Sequence, residues 1–582
     1  MKKLLFGLAL MLVAAYASAE AFVWPSAWSN ATPDEAVVGG TLRSSMISDP
    51  RTFNPITTAE SQAMSDHLFA GGLLIFRGPD SDEWVPYAAE SFTPNETGTV
   101  VDVVLREGVL WSDGEPVTVQ DYYTTYLLET DPDMGANGHD GWFMDGDPIV
   151  LEITGDRSLR FSFPRPDRLA FPVISMAPTR DSIFGEAYRS GGVEAVQALW
   201  GTDVDLSTTV WTSAFIPVSY TPGERVVMQA NPTFAQWNVD EAGNGLPYLA
   251  GYNLTIVTDL DAALNLYLAG ELDTFSPRNL DDIGTINVAI NNGDLDAQVM
   301  EAVSPVASSQ FIVWNWNMES NPAKEALFRN TNFRRAMAHL LDRDALIELV
   351  YNGSAMPMFT NVYPINTFWI NDDVNKYPYD PEAAAQLLAE IGYSTRGADG
   401  ILVNADGHKL SYTLATNAGN TAREQITQIF ADAAREIGVD VQVQAIDFNL
   451  LVEQLLSTGT DRPFDAILIG LTGGSRDWPF GVNVIPCGTN LHMFNTTPDC
   501  ISPLETLMGT LFTQGRETLD TEAARLVGND IQQVESELIP ILYTVSPMAH
   551  YSWLNSIGGY HQEGQINPLL GAWELPLLFK AQ

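Results

Sequence analysis

The chain has few of the residues on which metal centres and nucleophilic active sites depend. It has 7 His and 2 Cys among 582 residues. It contains no HExxH motif, no GxSxG elbow, no phosphate-binding glycine loop and no zinc-type cysteine cluster. These absences argue against a metalloprotease, a serine hydrolase and a nucleotide-dependent enzyme. We therefore expect a protein that is not an enzyme and that carries no cofactor and no metal.

Basic residues are scarce as well. There are 29 Lys and Arg against 73 Asp and Glu, for a formal net charge of −44. Such a charge repels the phosphates of nucleic acids and of anionic lipids, so we exclude both as partners. After the N-terminal segment, no run reaches the roughly 18 consecutive apolar residues of a membrane-spanning helix.

The N-terminal segment has the three parts of a secretory signal peptide. Lys2 and Lys3 are positively charged, Leu4–Ala15 is apolar, and Ala17–Ala19 is a small-residue cleavage site. We expect cleavage after Ala19 and an exported protein. No cysteine directly follows the apolar part, so a lipid anchor is not expected.

The two cysteines, Cys487 and Cys500, are close in sequence. In an exported protein such a pair predicts a disulfide, which would stabilise the fold by about 3 kcal/mol in the loop-entropy view. The alternative is a metal site, but His492 is the only histidine between them.

The segment "LREGVLWSDGEPVTVQDY", Leu105–Tyr122, predicts a strand, a turn and a helix start. Asp113-Gly114 is a turn dipeptide. Thr118 has the chemistry of a helix N-cap, with Asp121 three residues later in the capping-box position. We interpret this unit as packing and expect none of its residues to contact a ligand.

Helical and extended patterns alternate along the rest of the chain, which is typical of an α/β protein. The segment "YDPEAAAQLLAEIGY" shows the helix signals together. Asp380 is an N-cap residue, Pro381 occupies the first helical position, and Gly392 follows the predicted end.

Several segments, taken in their order along the chain, resemble one family. The unit at Leu105–Tyr122 is followed by "NPTF", "LAGELDTF", "FRRAMAHLLDRDALIELVYNGSA", "YDPEAAAQLLAEIGY" and "DGILVNADGHKLSYTL". They look like segments of the extracytoplasmic solute-binding proteins of ABC importers, of the dipeptide/oligopeptide type (family 5).

The resemblance implies a bilobed α/β fold of the periplasmic-binding-protein type. Two crossover segments, near Val303–Val313 and Pro540–Tyr543, would form the hinge, and lobe I would carry an extra subdomain. The implied organisation is a signal peptide (1–19), lobe I with an N-terminal leader (20–75), the extra subdomain (76–211), lobe I again (212–305), lobe II (306–537) and the C-terminal part of lobe I (538–582).

The implied function is capture of a ligand between the lobes and its delivery to permease subunits of an ABC importer in the inner membrane. We expect a periplasmic monomer. A short peptide is the first hypothesis for the ligand, and an oligosaccharide is the alternative. Other small solutes, such as nickel complexes or opines, stay open. An exported glycosidase is the hypothesis from another class, because acids are plentiful.

The main candidate site is a predicted loop of lobe II. In peptide binders of the family an Asp of this loop holds the ligand's α-ammonium, and Asp477 is the candidate here. Arg476 could pair with Asp477, or could bind a ligand carboxylate or sugar hydroxyls. Trp478 could stack on a sugar ring or line a side-chain pocket.

Further candidates come from loops and presumed cleft edges. Trp314 follows the first crossover and, by strand alternation, faces the same side as Trp316, so we expect Trp314–Asn317 to reach the cleft. The alternatives are core packing for each tryptophan, a capped turn for 44–55, and a helix-capping role for Asn420 in place of a ligand contact nearby. The further candidates are Trp369, Trp314, Asn315, Asn417, Ser48, Phe53 and Asn54, with Trp142 noted as another loop tryptophan.

Overall fold

The computed structural model describes residues 21–57, 71–77, 83–136, 138–472, 477–560 and 575–581. The predicted signal peptide with its cleavage site, and Arg476, lie outside these ranges.

Helices and strands alternate through the described chain. The strands are β1 Phe22–Val23, β2 Thr41–Met46, β3 Ile75–Arg77, β4 Trp84–Pro86, β5 Ala89–Pro94, β6 Val100–Leu105, β7 Phe143–Met144, β8 Asp147–Pro148, β9 Val150–Gly155, β10 Ser158–Ser162, β11 Phe215–Thr221, β12 Arg225–Ala230, β13 Asn238–Val239, β14 Gly251–Ile256, β15 Thr274–Phe275, β16 Ala297–Met300, β17 Phe311–Trp314, β18 Ala355–Pro357, β19 Thr395–Arg396, β20 Leu402–Val403, β21 Ser411–Asn417, β22 Asp440–Ile446, β23 Ala466–Ile469, β24 Ile541–Tyr543, β25 Val545–Pro547, β26 Tyr551–Leu554, β27 Ile557–Gly558 and β28 Phe579–Lys580. The α-helices are α1 Val119–Thr130, α2 Ala170–Ile174, α3 Glu186–Gln197, α4 Leu260–Leu268, α5 Leu280–Asn292, α6 Pro322–Arg329, α7 Thr331–Leu340, α8 Arg343–Tyr351, α9 Pro381–Glu390, α10 Thr421–Glu436, α11 Phe448–Leu456, α12 Pro503–Glu517 and α13 Thr521–Leu538.

Lobe II is built on a five-stranded mixed sheet in the order β22-β21-β23-β17-β24. Strands β22, β21 and β23 are parallel, whereas β17 runs antiparallel to both of its neighbours. Every residue of β17 and β23 is buried, as expected for strands covered on both faces. The hydrophobic core of this lobe runs from Phe311 to Val545.

Lobe I contains a four-stranded sheet, β11-β12-β14-β2, and a three-stranded sheet, β15-β26-β16. The extra subdomain has its own antiparallel sheet, β5-β6-β10-β9. Its buried residues join those of the first sheet in one core, so the subdomain is packed onto lobe I. The bilobed α/β architecture matches the expectation from the sequence.

The unit at Leu105–Tyr122 folds as predicted. β6 ends at Leu105, Gly114 takes a left-handed φ of 89°, and α1 begins after Thr118. The capping box is present, with the Thr118 amide donating to the Asp121 carboxylate over 2.8 Å. This geometry places α1 against β9 of the subdomain sheet.

Two chain segments cross side by side between the lobes. The amide of Val306 donates to the Pro547 carbonyl over 3.0 Å, and the amide of Ala549 donates to the Ser304 carbonyl over 2.7 Å. The first segment lies between β16 and β17, close to its predicted position. The second lies between β24 and β26, a few residues after its predicted position.

The difference at the second crossover has a simple cause. β24 pairs with β17 in the lobe II sheet, so the chain has not yet left lobe II at Tyr543. The boundary placed at residue 538 therefore falls inside the core of lobe II. Leu538, the residue at this predicted boundary, is the last residue of α13.

Cys487 and Cys500 are joined by a disulfide. The Glu505 carboxylate lies near both sulfurs, but sulfurs that are bonded to each other offer no thiolate to a metal.

A buried acid lies near the second crossover. Glu535 of α13 is 2% exposed and accepts a hydrogen bond from the Asn361 amide over 3.0 Å. Removal of its carboxyl group from water raises the pKa of Glu535 to about 8. Between about pH 4.5 and about pH 8, the native state therefore keeps the proton on Glu535, whereas a glutamate of the unfolded chain is ionised.

We predict that Glu535 makes stability depend on pH. Its contribution is fully present below about pH 4.5 and is lost as the pH rises to about 8. Glu535→Gln cannot ionise, so its free energy of unfolding should decline less than that of the wild type, by on the order of a few kcal/mol over this window. Denaturant titrations at several pH values measure the difference. Asp530→Asn, at an exposed position of the same helix, is the control and should follow the wild type. Parallel declines for wild type and Glu535→Gln would contradict the prediction.

Candidate ligand-binding site

The subdomain and lobe II meet at a buried ion pair. Arg516, at the end of α12, reaches Asp167 of the subdomain, with Nε 2.9 Å from Oδ1 and Nη2 2.7 Å from Oδ2. Its guanidinium also donates to the carbonyls of Phe143 and Gly141 over 2.6 and 3.0 Å. The side chains of Arg516 and Asp167 are 4% and 0% exposed. This interaction joins the subdomain to lobe II, and we call the arrangement with this contact formed the closed one.

Further contacts extend this seam on both sides of Arg516. Arg168 donates to the Leu519 carbonyl over 2.8 Å, and Asp140 accepts from the Asn490 amide over 3.0 Å. Because Asp140 is buried in the seam, its pKa is raised.

Behind the seam lies a cavity of about 350 Å³, which we call the tryptophan cavity. Four tryptophans line it, and hydrogen bonds from the indole nitrogens fix three of the rings, including Trp142, which donates to Glu129 over 2.7 Å. The Trp211 Nε1 donates to the Thr209 hydroxyl over 2.8 Å, and the Trp111 Nε1 lies 3.4 Å from the Asp121 carboxylate. Lobe II contributes Val482 and Arg516 to the wall. The tryptophans are Trp111, Trp142, Trp200 and Trp211.

The tryptophan cavity has few charged groups on its described wall. They are Glu129, Arg180 and Arg516. Four of the five N–H donors of Arg516 are used within the seam. Arg180 is paired with Asp113, with Nη2 3.4 Å from Oδ2, and donates to the Ser182 hydroxyl over 3.0 Å. Its guanidinium also lies 5.5 Å from the centre of the Trp111 ring. The cavity thus combines apolar aromatic surface with charges of both signs.

A second space of about 350 Å³, the hinge cavity, lies beside the crossover segments. His550 on its wall accepts from the Ala302 amide at Nδ1 over 3.0 Å, so Nε2 carries the proton and donates to the Ser354 hydroxyl over 2.7 Å. Burial lowers the pKa of His550, which agrees with a neutral ring. Arg278, also on the wall, is already paired with Asp261 and Asp282. The hinge cavity therefore offers a ligand little free charge.

Asp477 lies in lobe II and forms an ion pair with Arg77 of β3, with Nη2 2.5 Å from Oδ2. The Arg77 guanidinium also lies 4.5 Å from the centre of the Trp84 ring. Asp477, which we predicted to bind a ligand ammonium, is thus already paired with the Arg77 guanidinium from the other side of the seam.

Trp478 is 4% exposed and is held by lobe II itself. Its ring stacks on Trp369, with centroids 4.7 Å apart and planes 6° apart. Its edge lies against the Cα atoms of Gly515 in α12 and Gly528 in α13, where a side chain would collide with the ring. Arg168 covers the stacked pair, with its guanidinium 5.5 Å from the centre of the Trp369 ring. Both tryptophans therefore pack in the seam, and neither lines the tryptophan cavity.

The expectation that Trp314–Asn317 reach the cleft is wrong. Trp314 and Asn315 are both 0% exposed. Trp314 packs edge-on against Phe333, with centroids 5.7 Å apart, and the Asn315 amide donates to the Phe464 carbonyl over 2.9 Å. Alternation places Trp314 and Trp316 on the same side, but the sheet is covered on both sides, so neither side faces a cleft.

The remaining candidates near the N-terminus are buried in structural roles, apart from one contact. The side-chain oxygen of Asn54 caps its own turn by accepting from the Ile56 amide over 2.9 Å, and its Nδ2 donates to the Val196 carbonyl over 2.8 Å. Phe53 packs edge-on against Tyr220, with centroids 5.7 Å apart. Ser48 lies 3.4 Å from the Asn449 amide oxygen of lobe II, and so touches the opposite lobe.

Asn417 lies at the end of β21 and is occupied within lobe II. Its side-chain oxygen accepts from Arg423 over 2.8 Å. The neighbouring Asn420 caps α10 and also reaches the wall of the hinge cavity.

Sequence reasoning missed most of the tryptophan cavity. The sequence places Trp142 in a loop. It places Trp111 in the packing unit at Leu105–Tyr122, in which we expected no residue to contact a ligand. Glu129 is one acid among 73 and lies in an ordinary amphipathic helix. The one available signal was the helix start at Thr118, because it sets the phase of α1 and hence the side on which Glu129 lies.

The family model for bacterial extracellular solute-binding proteins, family 5 (middle), matches residues 83–490. This chain is a member of that family. The match covers most of the subdomain, the middle of lobe I and most of lobe II. Among the described residues, no helix is both long and apolar enough to cross a membrane.

Relatives and solved structures agree with this membership. A probable ABC transporter-binding protein of Deinococcus radiodurans is 36% identical and aligns over 98% of this chain and 97% of its own length. The structure of the oligopeptide-binding protein AppA from Bacillus subtilis with a nonapeptide has a TM-score of 0.79 at 22% identity, and covers 94% of this chain and 100% of that one. The structure of the binding protein MelB from Agrobacterium fabrum C58 with stachyose has a TM-score of 0.81 at 19% identity, and covers 96% and 87%. At these identities the structural likeness shows the fold alone.

We predict that Gly515→Ala destabilises lobe II of this family 5 protein. The new methyl group would overlap the Trp478 ring, and overpacking of this kind costs about 1–3 kcal/mol. Gly509→Ala in the same helix is the control. Its methyl group would lie 3.8 Å from the Cα atom of Pro486, so the substitution should be neutral or stabilising by up to about 1 kcal/mol. Thermal unfolding of both variants measures the contrast. Equal melting temperatures would contradict the packing assigned to Trp478.

We also predict that Arg516→Lys favours an open arrangement of the lobes. Lysine cannot form the two parallel bonds to Asp167 while also reaching two carbonyls. The radius of gyration of the ligand-free protein, from small-angle X-ray scattering, should therefore increase. Arg525→Lys, on the neighbouring helix and outside the seam, should leave it unchanged. Identical scattering for wild type and Arg516→Lys would show that the ion pair does not hold the lobes together.

Proposed function

We propose that the protein captures a short peptide between its lobes in the periplasm, as a monomer, and delivers it to the permease of an ABC importer. Membership in family 5 of the extracellular solute-binding proteins supports the general role. AppA, whose solved structure contains a nonapeptide, supports peptide as the ligand class. The proposed role is binding and release without catalysis.

The observation that carries the proposal is the mixed wall of the tryptophan cavity. Glu129 and Arg180 place a carboxylate and a guanidinium on the same wall, with aromatic surface around them. A peptide has an ammonium, a carboxylate and side chains with apolar parts, so it can satisfy all three kinds of surface. The ammonium of a peptide would meet the Glu129 carboxylate here, and its carboxylate would share the Arg180 guanidinium with Asp113, which offsets part of the cost of desolvating both charges.

The lobes would close by moving about the two crossover segments until the contacts of the seam form. The paired crossovers are narrow enough to allow rigid-body closure of the lobes, which is the common motion of two-lobed binding proteins. Closure forms the Arg516–Asp167 pair and completes the cavity wall with Val482. Ligand affinity then reflects contacts in the cavity together with the equilibrium between open and closed forms.

An oligosaccharide is the second candidate ligand. Four tryptophans on one cavity wall suit the apolar faces of sugar rings. The similar fold of MelB, solved with stachyose, supports this alternative. The two ligand classes differ in charge, so the unneutralised carboxylate of Glu129 favours the peptide.

We predict that short peptides raise the melting temperature of the purified mature protein and that stachyose does not. A ligand that binds only the native state stabilises it by about 2.7 kcal/mol at 100 times its Kd. A thermal-shift screen with mixed-sequence peptides of increasing length, and with stachyose and related sugars, gives the answer. Stabilisation by sugars alone would replace the proposed ligand class, and hydrolysis of the sugars during incubation would contradict a binding role.

A further inference from the structure

Glu129 exposes an unneutralised carboxylate to the tryptophan cavity. One oxygen, Oε2, accepts a hydrogen bond from the Trp142 Nε1 over 2.7 Å. Among the described residues, no Lys, Arg or His side chain forms an ion pair with it. It is also the only acid on the described wall of the cavity. Burial raises the pKa of Glu129 to about 6, which leaves the carboxylate mostly ionised near neutral pH.

The position of this carboxylate is fixed by its surroundings. A side chain at Gly138 would come within 2.7 Å of the Glu129 carboxyl carbon, so the bare backbone at Gly138 leaves room for this rotamer. The Glu129 carbonyl lies 2.8 Å from the His139 ring, which ties the following loop to α1. A charge held rigidly on an apolar wall is costly unless a partner neutralises it.

The surrounding surface indicates which partner fits. The faces of indole rings attract cations, and attraction grows when water is excluded. A metal ion would need several oxygen ligands, and the described wall offers a single carboxylate. A sugar hydroxyl would leave the negative charge uncompensated. A compact organic cation meets all of these conditions.

We propose that Glu129, with the tryptophans around it, forms a subsite for a primary ammonium group of the ligand. This inference rests on the proposed function and deepens it, because it specifies what the peptide must carry. The ammonium has two possible sources in a peptide, the α-amino group and a lysine side chain. Both present the same charge and the same three donors.

The experiment compares three tetrapeptides by isothermal titration calorimetry with the full mature protein. Ala-Ala-Lys-Ala carries both ammonium groups, its N-acetylated form carries only the side-chain ammonium, and Ala-Ala-norleucine-Ala carries only the α-ammonium. Each is titrated into wild type and into Glu129→Gln, which keeps the size of the side chain and an acceptor for Trp142.

We expect Glu129→Gln to weaken binding of Ala-Ala-Lys-Ala by about 10-fold or more, the range of one charged hydrogen bond. Of the two single-ammonium peptides, the one whose group occupies the subsite should lose affinity equally, and the other should be unaffected. Glu194→Gln, on the exposed surface of α3, is the matched control and should bind all three like the wild type.

The outcomes separate this inference from the proposed function. If wild type binds the peptides and Glu129→Gln binds them equally well, the ammonium subsite is wrong and peptide capture stands. If wild type binds none of the three, the proposed peptide ligand is contradicted and the subsite with it. The melting temperature of Glu129→Gln serves as the folding check, and should not fall below that of the wild type because the substitution removes a buried charge.

Discussion

The closed arrangement depends on Arg516, a guanidinium that leaves water when the lobes meet. Burial of such a charge is unfavourable unless its donors find partners, and here a carboxylate and two carbonyls of the subdomain accept them. The interaction is stabilising only when its geometry is complete, because a buried guanidinium with donors that lack acceptors is costly. The lobes therefore have a defined closed position.

Charge is distributed differently on the two sides of this seam. In the seam, Arg516 meets Asp167 and Arg77 meets Asp477, so positive and negative groups of the protein neutralise each other. In the cavity behind it, Glu129 has no such partner among the described residues. A ligand with a positive charge can therefore act as the partner of Glu129. A chain with a net charge of −44 also attracts cationic ligands from solution, which favours encounter with them.

Much of the fold could be predicted from the sequence, because local signals determine it. The capping box at Thr118, the helix boundaries around Pro381 and the spacing of Cys487 and Cys500 all depend on residues near each other in the chain. The cavity could not be predicted, because its wall joins positions from Pro55 to Arg516 through tertiary packing. Trp478 and Trp314 show the converse error. A tryptophan beside a presumed cleft is more often packed in a core, and sequence patterns do not reveal whether a sheet is covered on both faces.

A crystal structure of the mature protein with a bound peptide is the most direct test of peptide binding in the tryptophan cavity. The account predicts peptide density in the tryptophan cavity, an ammonium group within hydrogen-bonding distance of Glu129, and the Arg516–Asp167 pair formed. Density in the hinge cavity, or a peptide ammonium on Asp477 with Glu129 unoccupied, would contradict it.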